Sequence, residues 1–223
     1  MDIQAELQKE YALRFTPLEA YRQRLWRILT ADFFQKYIPR DATVLDLGCG
    51  WGEFINHVVA AKKLGMDLNP DATHKLAASV KFLCQDCSTA WELSDESLDI
   101  VFTSNFFEHL FKKQQLADTV RQAFRCLRPG GKLICLGPNI RYLPGTYWDF
   151  WDHHLPLTER SLRELLVMEG FRVTECIDRF LPYTMVGQRP SPLWLIRLYL
   201  KLPLLWRWYG RQFLVVAEKP RDN

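Results

Sequence analysis

A glycine-rich loop directly after an apolar run is the first feature of this sequence that could do chemistry. The run ATVLDL contains Asp46 near its end, and the letters GCGWG follow at residues 48–52. Glycines let a backbone turn sharply and approach a ligand closely. The segment EFINHVVAAK follows with helical periodicity, and the first turn of a helix presents free N–H groups and the positive end of its dipole. This arrangement predicts a ligand-binding loop between a strand and a helix.

Acidic residues stand at or just after the ends of the next two apolar runs. The run KLGMDL ends with Asp67 and Leu68. An acid about 20 residues after such a loop is placed to accept hydrogen bonds from both hydroxyls of a ribose. Asp86 and Cys87 follow the run VKFLC, where an acid could meet the exocyclic amine of an adenine. Three successive strand ends therefore supply groups that suit a nucleoside.

Two other interpretations of these residues agree less well with the sequence. A nicotinamide dinucleotide would need a third glycine where this chain has Glu53, and a carboxylate at that helix start would repel a pyrophosphate. A loop that only packs is the second alternative. Cys84 and Cys87 form a CxxC pair, but no second pair follows at zinc spacing, so we expect no structural metal there.

Three histidines are the candidates for acid–base chemistry. His109 follows the fourth apolar run directly, in SNFFEH, while His153 and His154 lie in the aromatic loop YWDFWDHH after the fifth. An unperturbed imidazole has a pKa of about 6.5 and can take up a proton near neutral pH. The alternatives are that His109 packs beside the bound ligand and that the aromatic loop is structural. A weak metal site is a further alternative, but the oxygen-rich ligand set it prefers is not evident, so no metal is predicted.

Short apolar strands that alternate with amphipathic helices must position these residues. Strands are predicted at 42–47, 63–68, 80–84, 97–104, 132–137, 171–177 and 212–219. Helices are predicted at 3–14, 17–37, 53–62, 72–79, 112–127, 158–170 and 193–202. This alternation predicts an α/β fold, a Rossmann-like, seven-stranded, mostly parallel sheet with helices on both faces. Ligands bind at the carboxyl ends of the strands in such sheets.

The chain of 223 residues is predicted to form one domain. Residues 1–40 would be a helical cover, residues 41–178 and 212–219 the core, and residues 179–211 an amphipathic insertion between strands six and seven. No apolar stretch is long enough to span a membrane. The first residues lack the pattern of a secretory signal, so we expect a cytoplasmic protein.

The predicted insertion is basic and aromatic. The net charge of the chain is +3, yet six basic residues and no acidic one stand between Asp178 and Glu218, so the remainder is slightly acidic. Tryptophan, tyrosine and arginine together suit a membrane interface, which predicts possible peripheral contact of residues 189–211 with lipid. A lid over the pocket and a dimer face are the alternatives. General nucleic-acid binding is not expected, because the basic charge is confined to this one segment.

The segments DLGCGWG, GMDLN, QDCS, LDIVFTSNFFEHL and RCLRPGGKLICLGPN resemble, in order and spacing, the successive motifs of class I S-adenosylmethionine-dependent methyltransferases. The resemblance covers residues 42–139. It implies S-adenosylmethionine as cofactor, a strand order of 3-2-1-4-5-7-6 with the seventh strand antiparallel, and N-terminal helices that close over the cofactor. The residues it implies for the cofactor are Asp46, Gly48, Cys49, Gly50 and Gly52 near the methionine part, Asp67 with Leu68 at the ribose, Asp86 and Cys87 beside the adenine, and Asn105 with Phe106 at the floor by the sulfonium.

The segment HHLPLTERSLRELLVMEGF and the basic stretch after it resemble methyltransferases associated with bacterial surface-glycan and glycolipid assembly. This second resemblance covers residues 145–219. It implies methyl transfer to an oxygen of a sugar, on a small or lipid-linked acceptor. His109, His153 and His154, singled out above by their positions, are the catalytic candidates for such a reaction. A methyltransferase of a soluble metabolite and a non-catalytic, cofactor-binding module that docks on a membrane are the alternatives.

Overall fold

One seven-stranded sheet organises the chain. The structure is a computed structural model that describes residues 18–183 and 191–221, so the helix predicted at 3–14 lies outside the described residues. The strands are β1 Thr43–Leu47, β2 Lys62–Asp67, β3 Val80–Cys84, β4 Leu98–Ser104, β5 Leu127–Pro138, β6 Arg172–Ile177 and β7 Gln212–Glu218. Their order is β3-β2-β1-β4-β5-β7-β6, and β7 runs antiparallel to both of its neighbours. The predicted fold class and strand order are confirmed.

The sequence pattern of each strand follows its place in the sheet. The central strands β1 and β4 are buried along almost their whole length, as expected when helices cover both faces. Leu45 and Leu47 of β1 point into one apolar cluster, while Val44 points into the other. The edge strand β6 alternates between exposed and half-buried residues instead. Burial on both faces thus fixes which strands lie at the centre.

Helices pack on each face of the sheet. They are α1 Glu19–Asp32, α2 Lys113–Cys126, α3 Glu159–Met168, α4 Leu193–Leu200 and α5 Pro203–Tyr209. One apolar cluster contains residues of α2 and α3, and the other contains residues of α1 and α4. Helices α4 and α5 belong to the insertion, with Pro203 at the first position of α5, where a missing N–H costs nothing. No helix in the described part of the chain is long and apolar enough to cross a membrane.

The helix predicted at 53–62 is wrong. The structure has a single helical turn there, in which the N–H groups of Asn56 and Val58 donate to the carbonyls of Gly52 and Phe54 at 2.9 and 3.1 Å. A crossover between parallel strands, with its helix, takes at least about 10 residues. The crossover between β1 and β2, residues 48–61, has 14 residues, and the glycine loop at 48–52 leaves nine of them for the helix and the return to the sheet.

Two other predicted helices are shorter than expected. The helix predicted at 17–37 ends as an α-helix at Asp32, and a 3₁₀-helix follows at Phe34–Tyr37. The helix predicted at 72–79 is a 3₁₀-helix at Pro70–His74, which the Asn69 side chain caps by accepting from the N–H of Asp71 at 3.0 Å.

Candidate functional site

The glycine loop adopts a conformation that other residues rarely take. Gly48 and Gly52 have φ values of +70° and +73°, in the left-handed region that favours glycine. The N–H groups of Gly48 and Cys49 both donate to the carbonyl of Met66, at 2.9 and 3.0 Å, and so tie the loop to β2. A Cβ added at Gly48 would lie 2.3 Å from the ring of Phe106. The loop and Phe106, two residues after β4, therefore pack directly on each other.

Asp67 connects the glycine loop to the turn after β2. Its buried carboxylate accepts from the N–H of Gly50 at 2.9 Å and from the N–H of Asn69 at 2.9 Å. The geometry therefore fixes the carboxylate of Asp67 between the loop and the turn after β2. Leu68, the next residue, is half-buried.

Carboxylates accumulate beneath this loop. Asp46 at β1 is buried, and burial raises the pKa of its carboxyl well above the usual range, while the charges of Glu53 and Asp67 raise it further. Arg22 of α1 pairs with Glu53 at 2.9 Å. Three acidic side chains thus stand against one basic side chain, Arg22, and this excess of acid favours a cationic ligand. S-adenosylmethionine, with its sulfonium and ammonium groups, fits that requirement.

Helix α1 covers the glycine loop from outside. Its Glu19 pairs with Lys75 at 2.8 Å, and the ammonium of Lys75 lies 4.3 Å from the centre of the Trp51 ring. Gln23 contacts the ring of His57 at 2.9 Å. Together with the pair between Arg22 and Glu53, these contacts hold α1 against the turn that follows the loop. Their partners could not be predicted from the sequence, because they depend on how α1 packs.

Asn105 shows the strain and the unused hydrogen-bonding capacity of a binding residue. It is one of two residues other than glycine in the described segments with positive φ, at +48°. Its N–H donates to the carbonyl of Leu136 at 2.9 Å, and its side-chain amide donates to Ser104 at 3.0 Å. Its Oδ1 is buried without a hydrogen-bond partner among the described residues. A buried orphan acceptor next to the glycine loop suits the ammonium of a bound amino acid.

The predicted adenine-side residues differ in what they can offer. Asp86 is half-buried, and its Oδ1 accepts from the N–H and the hydroxyl of Ser88 at 2.8 and 2.7 Å. The thiol of Cys87 instead lies in the core, 3.3 Å from the hydroxyl of Thr119, and burial raises its pKa to about 12. Cys49 is also buried, and a Cβ added at Gly65 would lie 2.9 Å from its sulfur. The two cysteines can thus contribute backbone groups but not thiols to the site.

Two of the three predicted histidines meet at the carboxyl end of β4. The ring centres of His109 and His153 are 5.1 Å apart. The Nδ1 of His109 lies 3.0 Å from the carboxylate of Asp152 and 3.1 Å from its backbone carbonyl, while its Nε2 lies 3.9 Å from the carboxylate of Glu108. Burial lowers the pKa of His109, but the hydrogen bond to Asp152 and the charges of Glu108 and Asp152 raise it to about 8. Burial raises the pKa of Glu108 to about 7.

Backbone hydrogen bonds bring the two parts of this cluster together. The carbonyl of Glu108 accepts from the N–H groups of His154 and Leu155 at 2.8 and 3.0 Å. His153 is buried, and the ring of Phe150 stacks on it at 4.9 Å. His154 is exposed, with its ring 4.5 Å from that of Phe111, so the structure places it outside the cluster. The sequence indicated that acids and imidazoles could pair in this region but not that Glu108 and Asp152 would be the partners.

Comparison with known proteins agrees with this geometry. Residues 45–135 match the family model described as a methyltransferase domain. A probable S-adenosylmethionine-dependent methyltransferase of Mycolicibacterium smegmatis is 33% identical over 144 residues, which are 61% of this chain and 54% of that protein. The malonyl-[acyl-carrier protein] O-methyltransferase of Methylococcus capsulatus is 32% identical over 104 residues, 43% of this chain and 37% of that protein. The chain spans about half the length of the first of these relatives and less of the second.

Solved structures show the same fold. An S-adenosylmethionine-dependent methyltransferase from Archaeoglobus fulgidus superposes with a TM-score of 0.68 at 20% identity, over 92% of this chain and 99% of that one. A chain of the complex between the Haloferax volcanii Trm112 methyltransferase activator and a methyltransferase superposes with a TM-score of 0.70 at 20% identity, over 100% and 99% of the two chains. The strand order defines a Rossmann-like fold, and the site offers groups that suit a nucleoside. Over residues 45–135 the chain is similar to S-adenosylmethionine-dependent methyltransferases, and this similarity supports a class I methyltransferase with S-adenosylmethionine as its cofactor.

Proposed function

We propose that this protein transfers the methyl group of S-adenosylmethionine to a hydroxyl of a sugar, carried on a small or lipid-linked acceptor. The observation that supports a hydroxyl acceptor is the cluster of Glu108, His109 and His153, the first two of which stand three and four residues after Asn105. A hydroxyl must lose a proton when it is methylated, and a polar cluster with an imidazole lone pair can assist that loss. A carboxylate acceptor would not need it.

The residues of this chain divide into a donor side and an acceptor side. We assign Asp67 to the ribose, Asp86 and the backbone of Cys87 to the adenine, and Asn105 to the methionine part. When bound, S-adenosylmethionine supplies a methyl group already activated by its sulfonium. Positioning of donor and acceptor can contribute on the order of 7–11 kcal/mol to the rate, so the main work of these residues is to hold two molecules in line.

His109 and His153 are our candidates on the acceptor side. Both partners of the His109 Nδ1 are oxygen acceptors, so Nδ1 carries a proton in the neutral and in the charged ring, and Nε2 presents a lone pair above the pKa of about 8. In the neutral ring this lone pair can accept the proton of a hydroxyl. His154 was a third candidate, and its exposed position on Phe111 makes it the weakest of the three.

The insertion supports a lipid-linked acceptor. Strand β6 runs parallel to β5, because both are antiparallel to β7. The chain therefore leaves β6 at the same end of the sheet as the carboxyl ends of the parallel strands, where the site lies. Phe150, stacked on His153, lies 5.9 Å from the ring of Tyr183 at the start of the insertion. Trp194, Leu204 and Trp208 are 67, 78 and 76% exposed. We propose that this face contacts a membrane and brings the site to its acceptor.

Calorimetric titration with S-adenosylmethionine tests the donor side. Asp67→Asn keeps the size of the side chain but removes the carboxylate that bonds Gly50 and Asn69. We expect at least a tenfold loss of affinity, which corresponds to about 1.4 kcal/mol. Asp71→Asn, at an exposed acid in the neighbouring 3₁₀-helix, is the matched control and should bind as the native chain does. Equal affinities for all three proteins would remove Asp67 from the site.

Transfer of a labelled methyl group into an extract tests the acceptor. The extract is divided into lipid, polysaccharide, small-molecule and protein fractions after incubation with the protein and labelled cofactor. Label that appears in the lipid or polysaccharide fraction as a base-stable ether supports the proposal. Label confined to the small-molecule fraction supports a metabolite methyltransferase with the insertion as lid, and label in no fraction supports a non-catalytic module.

A further inference from the structure

Three metal-binding side chains converge at the carboxyl end of β4. Glu108, His109 and His153 each offer one ligand atom, and these atoms all lie within 4.8 Å of one another. Two ligands that are each about 2.1 Å from one ion can be at most about 4.2 Å apart. The 3.9 Å between Glu108 Oε1 and His109 Nε2 is already below that limit. In a tetrahedral site such ligands lie about 3.4 Å apart, so the three atoms would have to approach one another by about 0.5 to 1.4 Å to complete the set.

We propose that Glu108, His109 and His153 hold a divalent transition-metal ion of the zinc class. Two imidazoles and one carboxylate are a ligand set of catalytic zinc sites, and such a set leaves a coordination position open for substrate. Calcium and magnesium favour sites made of oxygen atoms, so the two imidazoles disfavour them. Sequence spacing alone did not predict this site, because His153 stands far from Glu108 along the chain.

The surroundings of His109 match those of a metal-bound histidine. Such histidines donate their second ring N–H to a carboxylate or carbonyl, which fixes the tautomer and the ring orientation. The Nδ1 of His109 has both kinds of partner in one residue, the carboxylate of Asp152 at 3.0 Å and its backbone carbonyl at 3.1 Å. In the neutral ring the Nε2 lone pair consequently faces Glu108.

The other two ligand residues are held in place by the fold. The Glu108 side chain is 3% exposed, and its backbone carbonyl accepts two N–H groups of the segment that carries His153. The ring of His153 is packed between those of Phe150 and Tyr147, at 4.9 and 4.7 Å between centres. A buried carboxylate needs a compensating charge, and a divalent cation supplies one.

This inference rests on the proposed function, and in it the ion takes over the activation of the hydroxyl from the Nε2 lone pair of His109. Coordinated at the open position, the acceptor hydroxyl would have a lowered pKa, as water does on catalytic zinc. Its proton passes to solvent, its oxygen forms the new bond to the methyl carbon, and the C–S bond breaks with its electron pair left on sulfur. The products are a methyl ether, S-adenosylhomocysteine and one proton.

Zinc binding to the full chain tests the proposal. The protein is stripped with a chelator and dialysed, then titrated with Zn²⁺ by calorimetry, and its metal content is measured after gel filtration. We expect one equivalent of zinc per chain, with an affinity reduced at least tenfold in Glu108→Gln and in His153→Ala. A Co²⁺-loaded sample should show the absorption bands of a four- or five-coordinate ion, and these should be absent in Glu108→Gln.

A positioning variant and a control keep the result interpretable. Asp152→Asn does not remove a ligand, and loss of such a partner should weaken zinc binding by about 10- to 100-fold. His154→Ala removes an exposed imidazole next to His153 and should bind zinc as the native chain does. Affinity for S-adenosylmethionine and the melting temperature report whether each variant is folded.

Two results would overturn the metal site. One is a native chain that retains no stoichiometric zinc, and the other is an equal loss of zinc in His154→Ala and in the ligand variants. Methyl transfer that proceeds unchanged in the chelator-treated chain would remove the ion from the reaction while the proposed function stands. Bound zinc with no methyl transfer into any fraction would leave the site and remove the function.

Discussion

At the residue scale, the clearest sign of function is Asn105, which combines positive φ with a buried acceptor that lacks a partner. Two substitutions separate these features. Asn105→Gly keeps the backbone relaxed at φ +48° and removes Oδ1, whereas Asn105→Ala removes Oδ1 and adds about 1–2 kcal/mol of left-handed backbone strain.

We expect both Asn105 variants to bind S-adenosylmethionine about 10- to 100-fold more weakly, because each loses one hydrogen bond to a charged group. Only Asn105→Ala should also lose stability, seen as a lower melting temperature in the absence of cofactor. Cofactor affinity that is unchanged in Asn105→Gly would show that Oδ1 does not contact the ligand.

Single residues also show how far prediction from the sequence reaches. Gly48 and Asp67 could be located because each stands at a strand end, and parallel strands bring their carboxyl ends to one edge. The contacts of His109 could not be predicted, because Asp152 reaches His109 only after the loop following β5 folds back and donates two N–H groups to Glu108. Nor does an apolar context distinguish a thiol in the core, such as that of Cys87, from one that faces a ligand.

At the element scale, the strands could be predicted and the helices less so. A buried strand needs only a short apolar run, so the seven runs locate the sheet. Whether a segment between strands becomes a helix depends on the length available for the crossover, and after the glycine loop residues 53–61 are all that remain before β2. The insertion was expected to be amphipathic, and the structure divides it into α4 and α5 at Pro203.

The two helices of the insertion should be anchored by Trp206 and not by Trp208. The ring of Trp206 lies 4.9 Å from Phe180 and 5.8 Å from Phe33, and its Nε1–H donates to the carbonyl of Tyr199 at 2.9 Å. Trp208 is 76% exposed.

We expect Trp206→Ala to destabilise the chain by about 2 kcal/mol, part of the 3–5 kcal/mol cost for a fully buried tryptophan. That corresponds to a decrease of about 4–8 °C in melting temperature for a chain of this size. Trp208→Ala should change stability by less than about 0.5 kcal/mol. Thermal unfolding of the two variants measures the difference, and equal shifts would show that α5 is not docked by Trp206.

At the scale of the whole molecule, charge and exposed apolar area are concentrated on one segment. The insertion carries six basic residues and no acidic one, while the rest of the chain is slightly acidic. Part of this charge is already engaged, since Arg197 pairs with Asp32 at 3.2 Å and Arg179 stacks on Tyr142 at 4.4 Å. Lys201 and Arg207 are exposed between Trp194 and Trp208, so they are the charges that an anionic surface would meet first.

Vesicle binding should therefore depend on these two residues and on salt. Each basic group near an anionic leaflet contributes about 1 kcal/mol, so Lys201→Gln with Arg207→Gln should weaken binding to phosphatidylglycerol-containing vesicles by about 30-fold. Lys81→Gln with Lys113→Gln, which changes the same charge elsewhere on the surface, should have little effect. Because the Debye length decreases from about 8 Å at 0.15 M salt to about 3 Å at 1 M, high salt should reduce native binding towards that on phosphatidylcholine alone. Flotation assays measure vesicle binding of both double variants and the salt dependence of the native chain. Equal loss of binding in both double variants would show that net charge, not this face, attracts the protein.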